Sequence, residues 1–585
     1  MPTLEWIGKD KVVNHHLDVP YRVLERQYSF DENGKHEADN GSENMIIHGD
    51  NLEALKSLLP QYEGRVKCIY IDPPYNTGEE GWVYNDNVND PRIREWLHKT
   101  VGKEGEDLSR HDKWLCMMYP RLKLLQKLLA EDGAIFISID DNECANCKLI
   151  CDEIFGGHCF ITDAVWRSSD NSNNNSLKFS EDYNHTLIYA KNSTWKPNFI
   201  DDPSKRKHFK NPDNDPRGPW FDGHPVNNPG WRPNLQFDIT APNGNVIKHP
   251  QNGWRWSMDT IQEKLKTGEL RFSEDQTRLI RRTYLYELGG LTPSNLWTDL
   301  KTTGHTRRAK NDLKKIFPEV KVTDLFSTPK PSLLIEYILR LATAPDSIIL
   351  DSFAGSGTTA HAVLNMNKTD GGHRKFILIE MMDYADSITA ERVKRVISGY
   401  TADKEEILYD AEITVKNLAS GEEMLNEAKE IAAAAKGKYS SVKAPTVKDG
   451  HLTVTAVTKA ADQISGTGGS FSYYELGEPL MVGDVLNENV GVEKIREYVY
   501  FTDTKSRLPE PHPDEPYFMG VHVNSAYYFY YERQVVTTLN REFLHTVKTR
   551  ADAYVIYADL CTLSDAELEK YHITFKKIPR DITKL

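Results

Sequence analysis

The sequence predicts an α/β protein with a mostly parallel sheet covered by helices on both faces. Short apolar runs, among them Met45–His48, Val66–Ile71, Ala134–Ile139, Ser347–Leu350 and Phe376–Ile379, have strand length and little polar alternation. Helix-length amphipathic segments lie between them, and several of the runs end on an acid or a glycine-rich turn.

In chain order, a polar lead-in at residues 30–44 gives way to the strand Met45–His48. Gly49 turns the chain, Asp50 stands at an N-cap position, and Leu52, Leu55, Leu58 and Leu59 mark one face of a helix. After Gly64 comes the strand Val66–Ile71, which runs into Asp72-Pro73-Pro74-Tyr75. Residues 82–110 are polar, charged and tryptophan-spotted, an excursion from the core. A helix around Trp114–Leu129, the strand Ala134–Ile139, a cysteine-bearing helix and the apolar stretch Thr186–Ala190 follow. Cys144, Cys147 and Cys151 recur at i, i+3 and i+7 among Leu149, Ile150, Ile154 and Phe155, so they read as a buried helix face and not as metal ligands.

From about residue 200 the chain is rich in Pro, Asn, Gly and Trp, the composition of a loop-rich or small-sheet insert. Helical rhythm returns at Ile338–Leu341, and the strand Ser347–Leu350 enters Asp351-Ser352-Phe353-Ala354-Gly355-Ser356-Gly357-Thr358. The next strand ends at Glu380, and beyond residue 405 an Ala/Glu-rich helix and alternating segments suggest a separate α+β domain. The expected organisation is an N-terminal arm (1–44), a first core part (45–200), an insert (201–325), a second core part (326–404) and a C-terminal domain (405–585).

Composition bounds the function. With 585 residues, 39% of them apolar and 10% aromatic, the chain has material for two to four domains and is no disordered polymer. Seven cysteines are too few for a disulfide scaffold, and neither a signal peptide nor an apolar run of membrane length is visible, so the expected place is the cytoplasm. The formal charge of −14 disfavours a protein coated in positive charge. It is unevenly spread: residues 201–330 carry an excess of 6 basic groups, leaving −20 elsewhere.

Two motifs carry chemistry. Asp72-Pro73-Pro74-Tyr75 stands at the C-terminal end of a strand, where parallel sheets place their sites. An exocyclic amino group on a nucleobase is a poor nucleophile because its lone pair is delocalised into the ring. The Asp72 carboxylate and the Pro73 carbonyl can hold both N–H bonds, Pro74 stiffens the loop, and Tyr75 offers a face for an extruded base. Transfer of an activated sulfonium methyl then needs mainly position. In the second motif Gly355 and Gly357 permit a tight strand-to-helix turn, and Glu380 lies where a carboxylate bridges ribose hydroxyls. The three-glycine pyrophosphate fingerprint is missing, so a phosphate-free cofactor such as S-adenosyl-L-methionine fits better.

The pair of motifs resembles the catalytic and cofactor loops of amino-methyltransferases acting on DNA bases. Because the glycine loop follows the catalytic loop by about 280 residues, the order is similar to that of the circularly permuted beta class. The resemblance implies a Rossmann-like methyltransferase core with an inserted target-recognition domain. It also implies cofactor contacts from Asp50, Lys330, Asp351, Phe353, Gly355, Gly357, Thr358 and Glu380, with Asp50 facing the adenine and Thr328-Pro329-Lys330-Pro331 closing over the cofactor. Asn76-Thr77-Gly78 and Tyr84-Asn85-Asp86 extend the catalytic match, while Ser352 replaces the proline of many members. Leu4–Lys9, Asn211–Trp220, Gly304-His305-Thr306, Gly469–Gly477, Tyr557–Leu563 and Phe575–Arg580 resemble the modification subunits of type III restriction systems.

That resemblance implies adenine-N6 methylation of duplex DNA by a homodimer, in which one protomer recognises the site and the other methylates, together with a helicase–nuclease restriction partner. Candidate DNA contacts are the basic clusters Lys205, Arg206, Lys207 and Lys210, and Arg307, Arg308 and Lys310. Cytosine-N4 methylation is the nearest alternative, disfavoured because members of that kind usually carry Ser where Asp72 stands. A non-catalytic DNA-specificity subunit is the alternative from another class.

Overall fold

The structure, a computed structural model, describes residues 4–77, 107–172, 179–200, 206–223, 225–321, 325–414, 417, 420–448 and 450–580. Its centre is an eleven-stranded sheet. In chain order the strands are β1 (Arg22–Asp31), β2 (Gly34–His36), β3 (Met45–His48), β4 (Val66–Ile71), β5 (Leu129–Ile139), β6 (Phe160–Arg167), β7 (Tyr183–Ala190), β8 (Leu296–Trp297), β9 (Ile348–Asp351), β10 (Lys375–Glu380) and β11 (Phe471–Pro479). Across the sheet they run β8-β6-β7-β5-β4-β9-β10-β3-β11-β1-β2. The central block from β5 to β11 is parallel throughout. β7 is antiparallel to both of its neighbours, as is β1. The sheet is therefore mixed, with its parallel part in the middle.

Helices α1 (Asn51–Tyr62), α2 (Asp107–Leu128), α3 (Cys144–Cys151), α4 (Thr306–Ile316), α5 (Ser332–Ala342), α6 (Thr358–Asp370) and α7 (Glu391–Ser398) flank it. α1 starts where the sequence says it should: the Asp50 carboxylate accepts from Leu52 N at 2.7 Å. Its Leu55, Leu58 and Leu59 are buried with Ile69, Ile71, Ile135, Ile137 and the apolar face of α2 in one core. Cys147 and Cys151 lie in that core as the helix-face reading requires.

The chain divides into two compact units, residues 197–293 and the remainder. The smaller one has its own apolar core around Ile239, Trp254, Ile261 and Leu279, and a three-stranded sheet of Trp220–Asp222, Leu270–Phe272 and Leu279–Tyr284. It ends well before residue 325, because β8 pairs in parallel with β6 of the central sheet. The far side differs from expectation too. Phe471–Pro479 is no strand of a separate C-terminal domain; it pairs in parallel with β3 and antiparallel with β1. Its alternating pattern marks a strand but cannot name a partner more than 400 residues away. The rest of the C-terminal region holds a long ribbon of Gly399–Glu412 against His451–Ser465 and a four-stranded sheet ending with Ile573–Lys577. Among the described residues no helix is long and apolar enough to cross a membrane.

Candidate active site

Two adjacent parallel strands bring the motifs together. β4 delivers Asp72, and β9, hydrogen-bonded beside it, delivers Asp351. β10 and β3 come next, so Glu380 and Asp50 sit at the same edge. Residues separated by about 280 positions in sequence thus share one crevice at the carboxyl ends of the strands.

The Asp72 loop is held from behind. Trp114 is fully buried, and its indole N–H donates to the Pro74 carbonyl at 2.7 Å. Asn76 adopts a left-handed backbone with φ 59°, reversing the chain directly after Tyr75. Its amide donates to the Glu143 carboxylate and, at 3.3 Å, to the Arg110 carbonyl. Glu143 has no exposed surface and also binds His111 Nδ1 at 2.7 Å and Asn146 at 2.8 Å. The Tyr75 hydroxyl is buried, and burial, followed by the charge of Asp72, holds it well above the usual tyrosine range. Trp114 and Glu143 escaped sequence reasoning because each looks like ordinary helix-surface or core material until its partner is known.

The second loop is braced as tightly. Asp351 is buried; its oxygens accept from Phe353 N at 3.0 Å and Thr359 Oγ at 2.5 Å. Burial pushes its carboxyl up to about 7. Phe353 itself is buried in the central core. Gly357 is left-handed at φ 77°, and a Cβ there would stand 2.9 Å from the Thr389 carbonyl, so the turn needs glycine. Beneath it Arg392, fully buried, donates to Ser356 O, Ser356 Oγ and Thr358 Oγ. Glu380 accepts from Gly355 N at 2.8 Å and Met382 N at 3.0 Å, and burial raises it to about 6. The Asn51 amide donates to the Ser352 carbonyl at 2.9 Å, tying the start of α1 to the loop.

Lys330 lies where the two loops meet. Its ammonium donates to both Asp72 oxygens, at 2.7 and 2.6 Å, and stands 4.9 Å from the Tyr75 ring centroid. Its carbonyl accepts from Thr358 Oγ at 3.2 Å. The adjoining Pro331 packs on Gly304, whose left-handed φ of 67° leaves room for it: a Cβ there would lie 2.8 Å from the proline. The structure thus places Lys330 on Asp72 as well as beside the glycine loop.

The donor set fits S-adenosyl-L-methionine. A left-handed glycine turn with a buried carboxylate at its rim suits a ribose, and the cradle at Gly355, which a Cβ would fill against the Phe326 ring at 3.0 Å, suits close approach of a ligand to backbone.

The basic clusters fall in different units. Lys207 and Lys210 are exposed in the smaller one, whereas Arg206 is buried and donates to the Gly289 carbonyl at 2.6 Å. Arg307, Arg308 and Lys310 are exposed on α4, whose other face buries Ala309, Leu313 and Ile316 in the larger unit. Lys205, Gly78 and Tyr84-Asn85-Asp86 lie outside the described residues. Of the basic excess counted over 201–330, residues 294–330 supply four charges and 201–293 two. Within the smaller unit, Asp215 binds Arg217, Arg282 and Tyr284, and the Arg282 guanidinium lies 4.0 Å from the Trp220 ring centroid. Trp231 is exposed there.

Cys144, Asp163 and His185 bring ligand-type atoms within 4.8 Å of one another. Yet His185 is bonded through Nδ1 to Asp163 at 2.8 Å and through Nε2 to Asp141 at 2.9 Å. The Asp163 bond, then Cys144, pushes the imidazole up to about 11, in keeping with its place between the two carboxylates.

The DNA methylase family N6_N4_Mtase matches residues 66–391, a stretch that contains both loops and everything between them. The chain belongs to this family. It is 31% identical over 448 residues to the Mod subunit of the type III restriction-modification enzyme EcoP15I from Escherichia coli, covering 68% of this chain and 66% of that one. It is 33% identical over 401 residues to the StyLTI Mod subunit of Salmonella typhimurium, covering 62% and 58%. The chain thus spans 66% and 58% of the length of these two relatives. Among solved structures, the PvuII DNA methyltransferase (cytosine-N4-specific) aligns over 60% of this chain and 86% of its own at 14% identity and a TM-score of 0.31.

Proposed function

We propose that this DNA methylase transfers the methyl group of S-adenosyl-L-methionine to N6 of an adenine extruded from duplex DNA, as the modification and recognition subunit of a type III restriction system. The observation that carries the reading is the placement of Asp72 and the glycine loop at the ends of neighbouring parallel strands. The cofactor, when bound, supplies an already activated sulfonium methyl. The chain's own work is then positional. Asp72 and the Pro73 carbonyl accept the two N–H bonds of the exocyclic nitrogen, and Tyr75 gives the base a face. Trp114 fixes Pro74, and Asn76 fixes the exit of the loop, so the acceptors stand still while the base arrives. Glu380 and the left-handed glycines hold the cofactor, with Asp50, Asp351, Phe353 and Thr358 shaping its loop.

Adenine is favoured over cytosine by the carboxylate at residue 72. Lys207, Lys210, Arg307, Arg308 and Lys310 are the exposed candidates for phosphate contacts, with the 197–293 unit as the recognition module. A restriction subunit as partner is supported by the relatives, which are named as Mod subunits of such enzymes, and the homodimer rests on the sequence resemblance. The test is transfer of tritiated methyl to unmethylated genomic DNA, followed by mapping of the modified bases. Label at N6 of adenine within one short sequence is expected. Label at cytosine N4 would move the target base, and absence of label from DNA would overturn the proposal.

A further inference from the structure

Two groups of the site are assigned to the incoming base: the Asp72 carboxylate for its amino group and the Tyr75 face for its ring. One side chain already engages both. The Lys330 ammonium donates to each Asp72 oxygen, at 2.7 and 2.6 Å, and sits over the Tyr75 ring at 4.9 Å. An N–H donor against Asp72 and above Tyr75 is what the exocyclic nitrogen would be. The pair is no loose surface contact, since the Lys330 and Asp72 side chains keep only 12% and 22% of their exposure. The backbone at Lys330 is fastened on its C-terminal side, by Thr358 Oγ on its carbonyl and by the packing of Pro331 on Gly304. The long side chain can therefore swing aside on a main chain that stays put.

We propose that Lys330 is a positioning residue for the methyl transfer: it keeps the place of the target amino group on Asp72 until a base carrying that group displaces it. The inference rests on the function proposed above. Displacing the ammonium takes a partly buried carboxylate away from its cation, which costs free energy unless the newcomer brings N–H donors of its own. A base with an exocyclic amino group brings two. A base with a keto oxygen at that position brings an acceptor against a carboxylate and is refused. That refusal belongs to Asp72; Lys330 sets what the arrival of the base costs.

The experiment compares the full-length wild type with Lys330→Met and Lys330→Arg on two duplexes containing the mapped methylation site. One carries the normal target base, and the other an analogue lacking only the exocyclic amino group. Lys330→Met should bind the normal duplex about tenfold more tightly than wild type, the scale of one charge-assisted hydrogen bond. It should bind the amino-less duplex no more tightly. Its KM for DNA should fall with its Kd, and Lys330→Arg should restore the wild-type affinity for the normal duplex. A residue that merely supports the fold would weaken all of these together.

Equal tightening on both duplexes, or none on the normal one, would overturn the inference. So would a loss of cofactor affinity as large as the expected DNA effect, because Lys330 would then belong to the cofactor. If Lys330→Met does not fold, Lys330→Gln carries the same comparison. Wild-type protein that labels no DNA at all sinks the proposed function; wild type that labels DNA beside a Lys330→Met that tightens on both duplexes alike, or on neither, sinks only this inference.

Discussion

Asn76 offers a quantitative test of how the catalytic loop is held. It is 2% exposed, left-handed at φ 59°, and donates to both Glu143 and the Arg110 carbonyl. Two replacements separate the backbone contribution from the side-chain contribution. Asn76→Gly keeps the left-handed turn free of strain but deprives the buried Glu143 of a donor, a loss of about 2 kcal/mol for a charge-assisted hydrogen bond. Asn76→Ala loses the same bond and adds the left-handed penalty of a Cβ, about 1 kcal/mol. If these losses fall on the productive loop geometry, single-turnover transfer slows roughly thirtyfold for glycine and roughly 150-fold for alanine. The assay is methyl transfer at saturating cofactor and DNA, with circular dichroism and cofactor affinity as controls. Alanine and glycine variants of equal rate would remove the backbone part of the reasoning. Both at the wild-type rate would refute the hold itself.

Other outcomes follow from the same geometry. Asp72→Ala should abolish transfer while cofactor binding, measured by calorimetry, persists; turnover near wild type would take the carboxylate out of the reaction. Charge reversal at Arg307 and Arg308, exposed on α4, should weaken duplex binding and flatten its dependence on salt, and unchanged affinity at two salt concentrations would move the DNA surface elsewhere. Burial lifts Asp351 to about 7, above the range it has when unfolded, so the stability it contributes is complete at low pH and is lost as pH rises through 7. Asp351→Asn should therefore gain on wild type by about 1 kcal/mol between pH 6 and pH 8. Parallel melting curves at the two pH values would contradict the raised carboxyl.

The parts of the fold legible in the sequence were those written locally. Val66–Ile71 and Ile348–Asp351 announce strands by unbroken apolar runs, and the prolines or glycines after them announce where each strand stops. Asp50 declares a helix start by its own side-chain chemistry. What stayed hidden was pairing at long range. Phe471–Pro479 carries an alternating pattern that would suit an edge strand of any small domain, and only its hydrogen bonds to β3 and β1 put it in the main sheet. Residue type misled in a similar way at Arg206, basic and within a basic run, yet turned inward onto the Gly289 carbonyl. The site showed the same division. Both motifs could be read, but the contact of Lys330 with Asp72 spans 258 positions and depends on which strands become neighbours.

The late arrival of β11 bears on how the protein is made. β3 leaves the ribosome about 430 residues ahead of the strand that covers its outer edge. At typical rates of synthesis, about 5–20 residues per second, that edge waits roughly twenty seconds or more for its partner. During that interval a row of unpaired backbone groups on the apolar strand Met45–His48 is open to any other extended segment. Chains released before residue 479 would keep this edge permanently. Truncated products should therefore aggregate even though both chemical loops are already encoded in them, and production in the cell should depend on chaperones that shield the nascent sheet.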